Sequence, residues 1–124
     1  MGLSKVSSVI KKYKDENTIV IDNGDTLEGS PLMMYHYQKY PKDINCISKA
    51  FNITGYDYVN IGNHDFNYGK EALLKHLNYI NAKCITVNIK NLEYCYDIKT
   101  INNKKIGIFG VITHYVPNWE SPKN

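Results

Sequence analysis

The stretch Gly62-Asn63-His64-Asp65-Phe66-Asn67-Tyr68-Gly69 decides how this chain is read. The apolar run Tyr58-Val59-Asn60-Ile61 precedes it and reads as a strand, and Lys70-Glu71-Ala72-Leu73-Leu74 comes after it and reads as a helix. Asn, His and Asp therefore stand at the carboxyl end of a strand, where open α/β proteins place their chemistry. A second cluster, Asp22-Asn23-Gly24-Asp25-Thr26-Leu27-Glu28-Gly29, follows another apolar run, Thr18-Ile19-Val20-Ile21. Two strand ends that deliver carboxylate, amide and imidazole point to a metal-assisted phosphoryl hydrolase.

Each residue type in these clusters has a chemical reason to be there. Asp25 follows a glycine, which lets the backbone turn sharply and brings the carboxylate toward a cleft. An ionised Asp is a hard oxygen donor that bridges divalent ions. Asn63 offers a neutral amide oxygen. His64 offers an imidazole that ligates a metal or, when protonated, stabilises a phosphoryl group and protonates a leaving alkoxide. Asp65 or another acidic group is available to orient it. Asp, Asn and His together suit Mn, Fe, Zn or Mg, so the donor set leaves the metal open.

Working outward, Leu3, Val6, Ile10 and Tyr13 recur at helical spacing with lysines opposite, predicting an amphipathic helix against a sheet. Residues 18–22 predict a short apolar strand buried on both faces. Pro31 opens a helix through residue 39. Asp43 is the expected N-cap of a further helix whose apolar face is Ile44, Ile47, Ala50 and Phe51, with Gly55 as its stop. Residues 57–61 predict the second strand, 70–81 a helix with Leu73, Leu74, Leu77 and Ile80 inward, and 84–87 a third strand. Residues 94–101 and 104–111 predict a hairpin across Asn102-Asn103, with no element after the last strand. Helices alternating with strands, then a paired β segment, give an α/β class with a mixed sheet.

Bulk properties exclude several classes. At 124 residues the chain allows at most one modest domain, and 43% apolar content is enough for a core. The net charge of +3 is mild and the lysines are spread, so no nucleic-acid stripe is expected. The three cysteines, Cys46, Cys84 and Cys95, show no CxxC spacing, which argues against a disulfide framework or zinc knuckle. Cys84 reads as a small core residue. No apolar stretch reaches membrane-spanning length, and residues 1–6 lack a signal-peptide core. His36, His76 and His114 read as structural or exposed, with His76 on a helix surface.

Gly24-Asp25 with Gly62-Asn63-His64-Asp65 resembles the central motifs of the calcineurin-like metallophosphoesterases. The flanks, residues 22–32 and 62–69, look like the 2′,3′-cyclic-nucleotide 2′-phosphodiesterase/3′-nucleotidase branch of the wider 5′-nucleotidase family. Gly2-Leu3-Ser4-Lys5-Val6 resembles the helix before the first motif. Ile106-Gly107-Ile108-Phe109-Gly110-Val111 with Trp119 resembles a later strand and the stretch beyond it. The resemblance covers nearly the whole chain. It implies an incomplete version of a four-layer α/β/β/α fold with mixed sheets. Residues 1–124 would form the central part of one metallophosphoesterase domain, with the first strand and C-terminal part missing. The family's Asp-x-His motif and its later Gly-His-x-His-type histidines have no counterpart in this sequence.

The resemblance also implies site roles. Asp25 would bridge two divalent metal ions, Asn63 would ligate one of them, and His64 would be the catalytic histidine on the substrate phosphate. Asp65 and Asn67 would support that set. In the 5′-nucleotidase branch an Asp stands three residues after the histidine and pairs with it. Here the position is Asn67, as in the cyclic-phosphodiesterase branch, which favours a cyclic substrate. The expected function is hydrolysis of 2′,3′-cyclic nucleotides, 3′-nucleotides or both, by a fragment inactive or weakly active alone. The alternatives are a 5′-nucleotidase-type fragment and a non-catalytic remnant that binds metal weakly. The expected partner is the nucleotide, with no polymeric nucleic acid, membrane or specific protein. Related proteins are commonly exported, and this chain's location stays open.

Overall fold

The computed structural model describes residues 2–90, 92 and 96–120. Three parallel strands form its centre: β1 (Ile21–Asp22), β2 (Tyr58–Val59) and β3 (Lys83–Cys84), in the order β1-β2-β3. Ile21 pairs with Tyr58 and Tyr58 with Lys83, so the three strands end at one level. Strands β4 (Asp97–Ile101) and β5 (Lys104–Ile108) form an antiparallel hairpin. Its two-residue turn, Asn102-Asn103, has φ of 49° and 62°. Asn tolerates this left-handed region better than most residues, and such turns match strand twist. Beyond β5, Gly110 bridges Thr86 in parallel. The chain after β5 thus leaves at the same end of the sheet as β1, β2 and β3.

The helices are α1 (Leu3–Tyr13), α2 (Pro31–Lys39), α3 (Cys46–Thr54), α4 (Lys70–Tyr79) and α5 (Val116–Trp119). Neighbouring strand residues point to opposite faces. Val59 joins a core with Leu27, Met33, Phe51, Ile61, Leu73 and Ile80, whereas Tyr58 joins Ile85 and Ile108 on the hairpin side. Helices therefore cover one face of the parallel sheet and the hairpin packs on the other. Cys84 is buried and unpaired, as its apolar run implied; Cys46 is also unpaired.

Several expectations change. No residue of 18–22 is fully buried, and Ile21 is 47% exposed, because among the described residues β1 has a strand neighbour on one side alone. Asn45, not Asp43, caps α3: its side chain accepts from the Ser48 N–H at 2.8 Å, while the Asp43 N–H closes a turn on Tyr40. Tyr13, read as inward, is 66% exposed with Lys12 over its ring, and α1 packs beside α3. His76 is not on a surface. It is 3% exposed, bonded through Nδ1 to the Ser48 hydroxyl (2.8 Å) and set edge-on to Phe51. Burial pushes its pKa down to about 4. A helix, α5, does follow the last strand. Residues 94 and 95, where the hairpin reading began and where Cys95 stands, lie outside the described residues.

Candidate active site at the strand ends

Asp65 ties the two motif loops together. It lies in a single 3₁₀ turn, Asn63–Phe66, just beyond β2, and is 4% exposed. Its Oδ2 accepts the N–H groups of Asp25 and Gly62, both at 2.9 Å. Its Oδ1 accepts those of Thr26 (2.8 Å) and Leu27 (3.0 Å). One carboxylate therefore satisfies three successive amides of the loop after β1 and one of its own. Leu27 then plugs the core with no exposed surface. The loop is fixed at its start as well, where Asp22 Oδ1 accepts from the Gly24 N–H (3.0 Å) and the Thr26 hydroxyl (2.9 Å).

The loops touch backbone to backbone. A Cβ on Gly24 would lie 2.2 Å from the Gly62 nitrogen, and one on Gly62 would lie 2.1 Å from Asp25 Oδ1. Asp25 itself has φ of 60°, a conformation that turns its carboxylate across the second loop. There Oδ1 accepts the His64 N–H at 2.9 Å. Asp25 and His64, distant in sequence, are thus brought into direct contact, and Asn63 is the residue between that contact and Gly62.

The His64 ring is more than half exposed. Its Nδ1 lies 3.3 Å from Glu28 Oε2 and 3.2 Å from Asn67 Nδ2. Asn67 Nδ2 also donates to Glu28 Oε2. The groups at the imidazole are thus Asn67 and Glu28, whereas Asp65 has both oxygens committed to backbone amides. Reading the sequence missed Glu28. It stands inside the 22–29 cluster, but an exposed Glu in a loop carries no local sign of what it faces.

Behind the loops, buried Asn60 holds the strand ends in line. Its Oδ1 accepts from the Thr86 hydroxyl (2.8 Å), and its Nδ2 donates to the Val111 carbonyl (3.1 Å). Thr86 in turn accepts the Ile61 N–H (2.9 Å). A cleft of about 640 Å³ is lined by Phe66, Asn88, Ile112, His114 and Pro117. His114 is exposed there against Tyr115, and half-buried His36 packs among Tyr37 and Tyr40. Neither joins the Asp25–His64 contact.

Comparison with known proteins agrees with this arrangement. No family model matches the chain. A 2′,3′-cyclic-nucleotide 2′-phosphodiesterase/3′-nucleotidase from Salmonella typhimurium is 34% identical over 96% of this chain and 21% of its own length. A Staphylococcus aureus protein assigned as a 5′-nucleotidase superposes with a TM-score of 0.88 at 28% identity, over 99% of this chain and 25% of that one. The calcineurin-like phosphoesterase YfkN of Bacillus subtilis shares the fold, with a TM-score of 0.77 at 24% identity over 95% of this chain and 42% of that one. The chain belongs to the calcineurin-like metallophosphoesterases, in their 5′-nucleotidase family. It spans only 10% to 21% of the length of the first curated relatives it matches.

Calcineurin-like phosphoesterases generally use divalent metals. The donors present are of the right kind for one side of such a site. Asp25 keeps Oδ2 and a second lone pair on Oδ1 beyond its bond to His64, and Asn63 adds an amide oxygen. Their number falls short of the four to eight ligands that divalent ions take. Among the described residues, no group of three or more His, Cys, Asp and Glu is gathered to hold a metal. Among the same residues, no helix is long and apolar enough to cross a membrane.

Proposed function

We propose that this chain supplies the central strand-end loops of a metal-dependent phosphoesterase acting on 2′,3′-cyclic nucleotides, 3′-nucleotides or both. The contact between the Asp25 carboxylate and the His64 amide carries the reading, because it joins a metal-ligand type and an acid-base type from two neighbouring strand ends. The name of the Salmonella relative supports the substrate class. Asp25 and Asn63 would hold divalent metal. When bound, such a metal would supply Lewis-acid chemistry, activating water for attack and polarising the phosphoryl oxygens. With both ring nitrogens protonated, His64 hydrogen-bonds the phosphate and gives its Nε2 proton to the leaving 2′-oxygen as the P–O2′ bond breaks. Asp65 holds the loop carrying Asp25 against the turn carrying His64.

A second reading, weak metal binding without turnover, is favoured by the small donor set. The test is hydrolysis of 2′,3′-cyclic AMP with added Mn²⁺, beside His64→Ala. We expect turnover that falls about 100-fold or more in the variant, the scale of a lost general acid. Turnover no greater than that of His64→Ala would select the second reading. Running 3′-AMP and 5′-AMP in parallel separates the 3′-nucleotidase from a 5′-nucleotidase substrate.

A further inference from the structure

We infer that Glu28 is the positioning residue of His64, holding its Nδ1–H so that Nε2 is the ring atom presented to substrate. This rests on the catalytic reading of His64, but the pairing itself stands on geometry. Among the described residues, two side-chain groups approach Nδ1: the Glu28 carboxylate at 3.3 Å and the Asn67 amide at 3.2 Å. They ask opposite things of the ring. A carboxylate only accepts, so it favours a proton on Nδ1; an amide N–H donates, so it favours a lone pair there. Hydrogen bonds to an ionised acceptor are about twice as strong as neutral ones, so Glu28 decides. Asn67 already donates to the same Glu28 oxygen and braces the carboxylate against the ring. Neither other carboxylate on these loops is available. Asp65 is occupied by four amides, and Asp25 is turned to the His64 backbone.

The placement has a consequence for the loops. His64 rides on the turn after β2, and Glu28 on the loop after β1. The imidazole is therefore oriented only when Asp65 has closed one loop onto the other. Orientation of the ring and assembly of the Asp25–His64 contact become one event.

The experiment is a long-range ¹H–¹⁵N spectrum of the ¹⁵N-labelled chain at neutral pH, with His64 assigned by its loss in His64→Ala. We expect His64 in the Nδ1–H tautomer. Glu28→Ala should turn it to the Nε2–H form, and Asn67→Ala should leave the Nδ1–H form in place. Unchanged His64 ring shifts in Glu28→Ala would overturn the proposal. The signals of buried His76 report whether each variant is folded. If Glu28→Ala disturbs them, Glu28→Met, which keeps much of the size of the side chain but carries no oxygen acceptor, takes its place. In the cyclic AMP assay Glu28→Ala should lower kcat about ten-fold with KM little changed, part of the general-acid contribution. If His64→Ala left turnover intact while Glu28→Ala moved the tautomer, the catalytic reading would fail and the pairing would stand.

Discussion

Two glycines decide whether the loops can cross. At Gly24 the backbone has φ of 88°, and an added methyl would fall 2.2 Å from the Gly62 nitrogen. Backbone cannot swing aside as a flexible side chain does, least of all where Asp65 pins both sides of the crossing. Gly24→Ala should therefore cost the positive-φ penalty of about 1–2 kcal/mol and an overpacking cost of about 1–3 kcal/mol. Gly29 is the built-in comparison. Its φ is 98°, but nothing lies within 4 Å of an added Cβ, so Gly29→Ala should cost only the first part. Urea midpoints of the two variants make the measurement. Equal losses would mean that the crossing has slack.

At the scale of elements, Asp65 replaces the pairing that a strand would otherwise give the loop after β1. Three successive amides, of Asp25, Thr26 and Leu27, have this one carboxylate as their acceptor. Asp65→Asn keeps the shape but puts an NH₂ where two of the four N–H groups need an acceptor. A buried donor left unmatched costs about 1–3 kcal/mol, so we expect a loss of about 3 kcal/mol in urea unfolding. The Thr26 and Leu27 amides should exchange with solvent faster than those of β2, since the loop opens before the sheet does. Exchange that stays slow in the variant would show the loop to be held by Leu27 packing instead.

At the scale of the whole molecule, acid should act in two steps. His76 is buried between α3 and α4, and burial holds its pKa near 4, against an ordinary 6.5. Between these values the unfolded chain binds a proton that the folded one does not, so stability falls as pH drops from 6.5 to 4. The full loss is about 3 kcal/mol. The second step comes from carboxylates held below their usual 3.8. Burial opposes ionisation of Asp57, but the Val20 amide, Lys14 and Lys99 outweigh it; Asp97 is held down by the Tyr58 hydroxyl and by Lys83. Their contribution is present above 3.8 and is lost as pH falls through the lower folded values. Asp22, whose pKa burial raises, works the other way and blunts the fall. Urea midpoints from about pH 3 to 7 check this: His76→Gln should flatten the upper step alone, and Asp97→Asn the lower.

The amino-acid sequence by itself determined what is encoded locally. The order of helices and parallel strands, the Asn102-Asn103 hairpin and the Pro31 start of α2 come from side-chain period, turn residues and caps, each acting within a few positions. The paired motifs that identify the family are local in the same sense. Only the tertiary structure decided that Asp65 binds backbone rather than His64, that Glu28 meets the imidazole, that Gly24 needs Gly62, and that His76 is buried. Each of these contacts joins segments brought together by the β1–β2 pairing or by the packing of α3 on α4. No local periodicity encodes such partners, because the register of the sheet and the depth of a helix in the core are set by the summed burial of the whole chain.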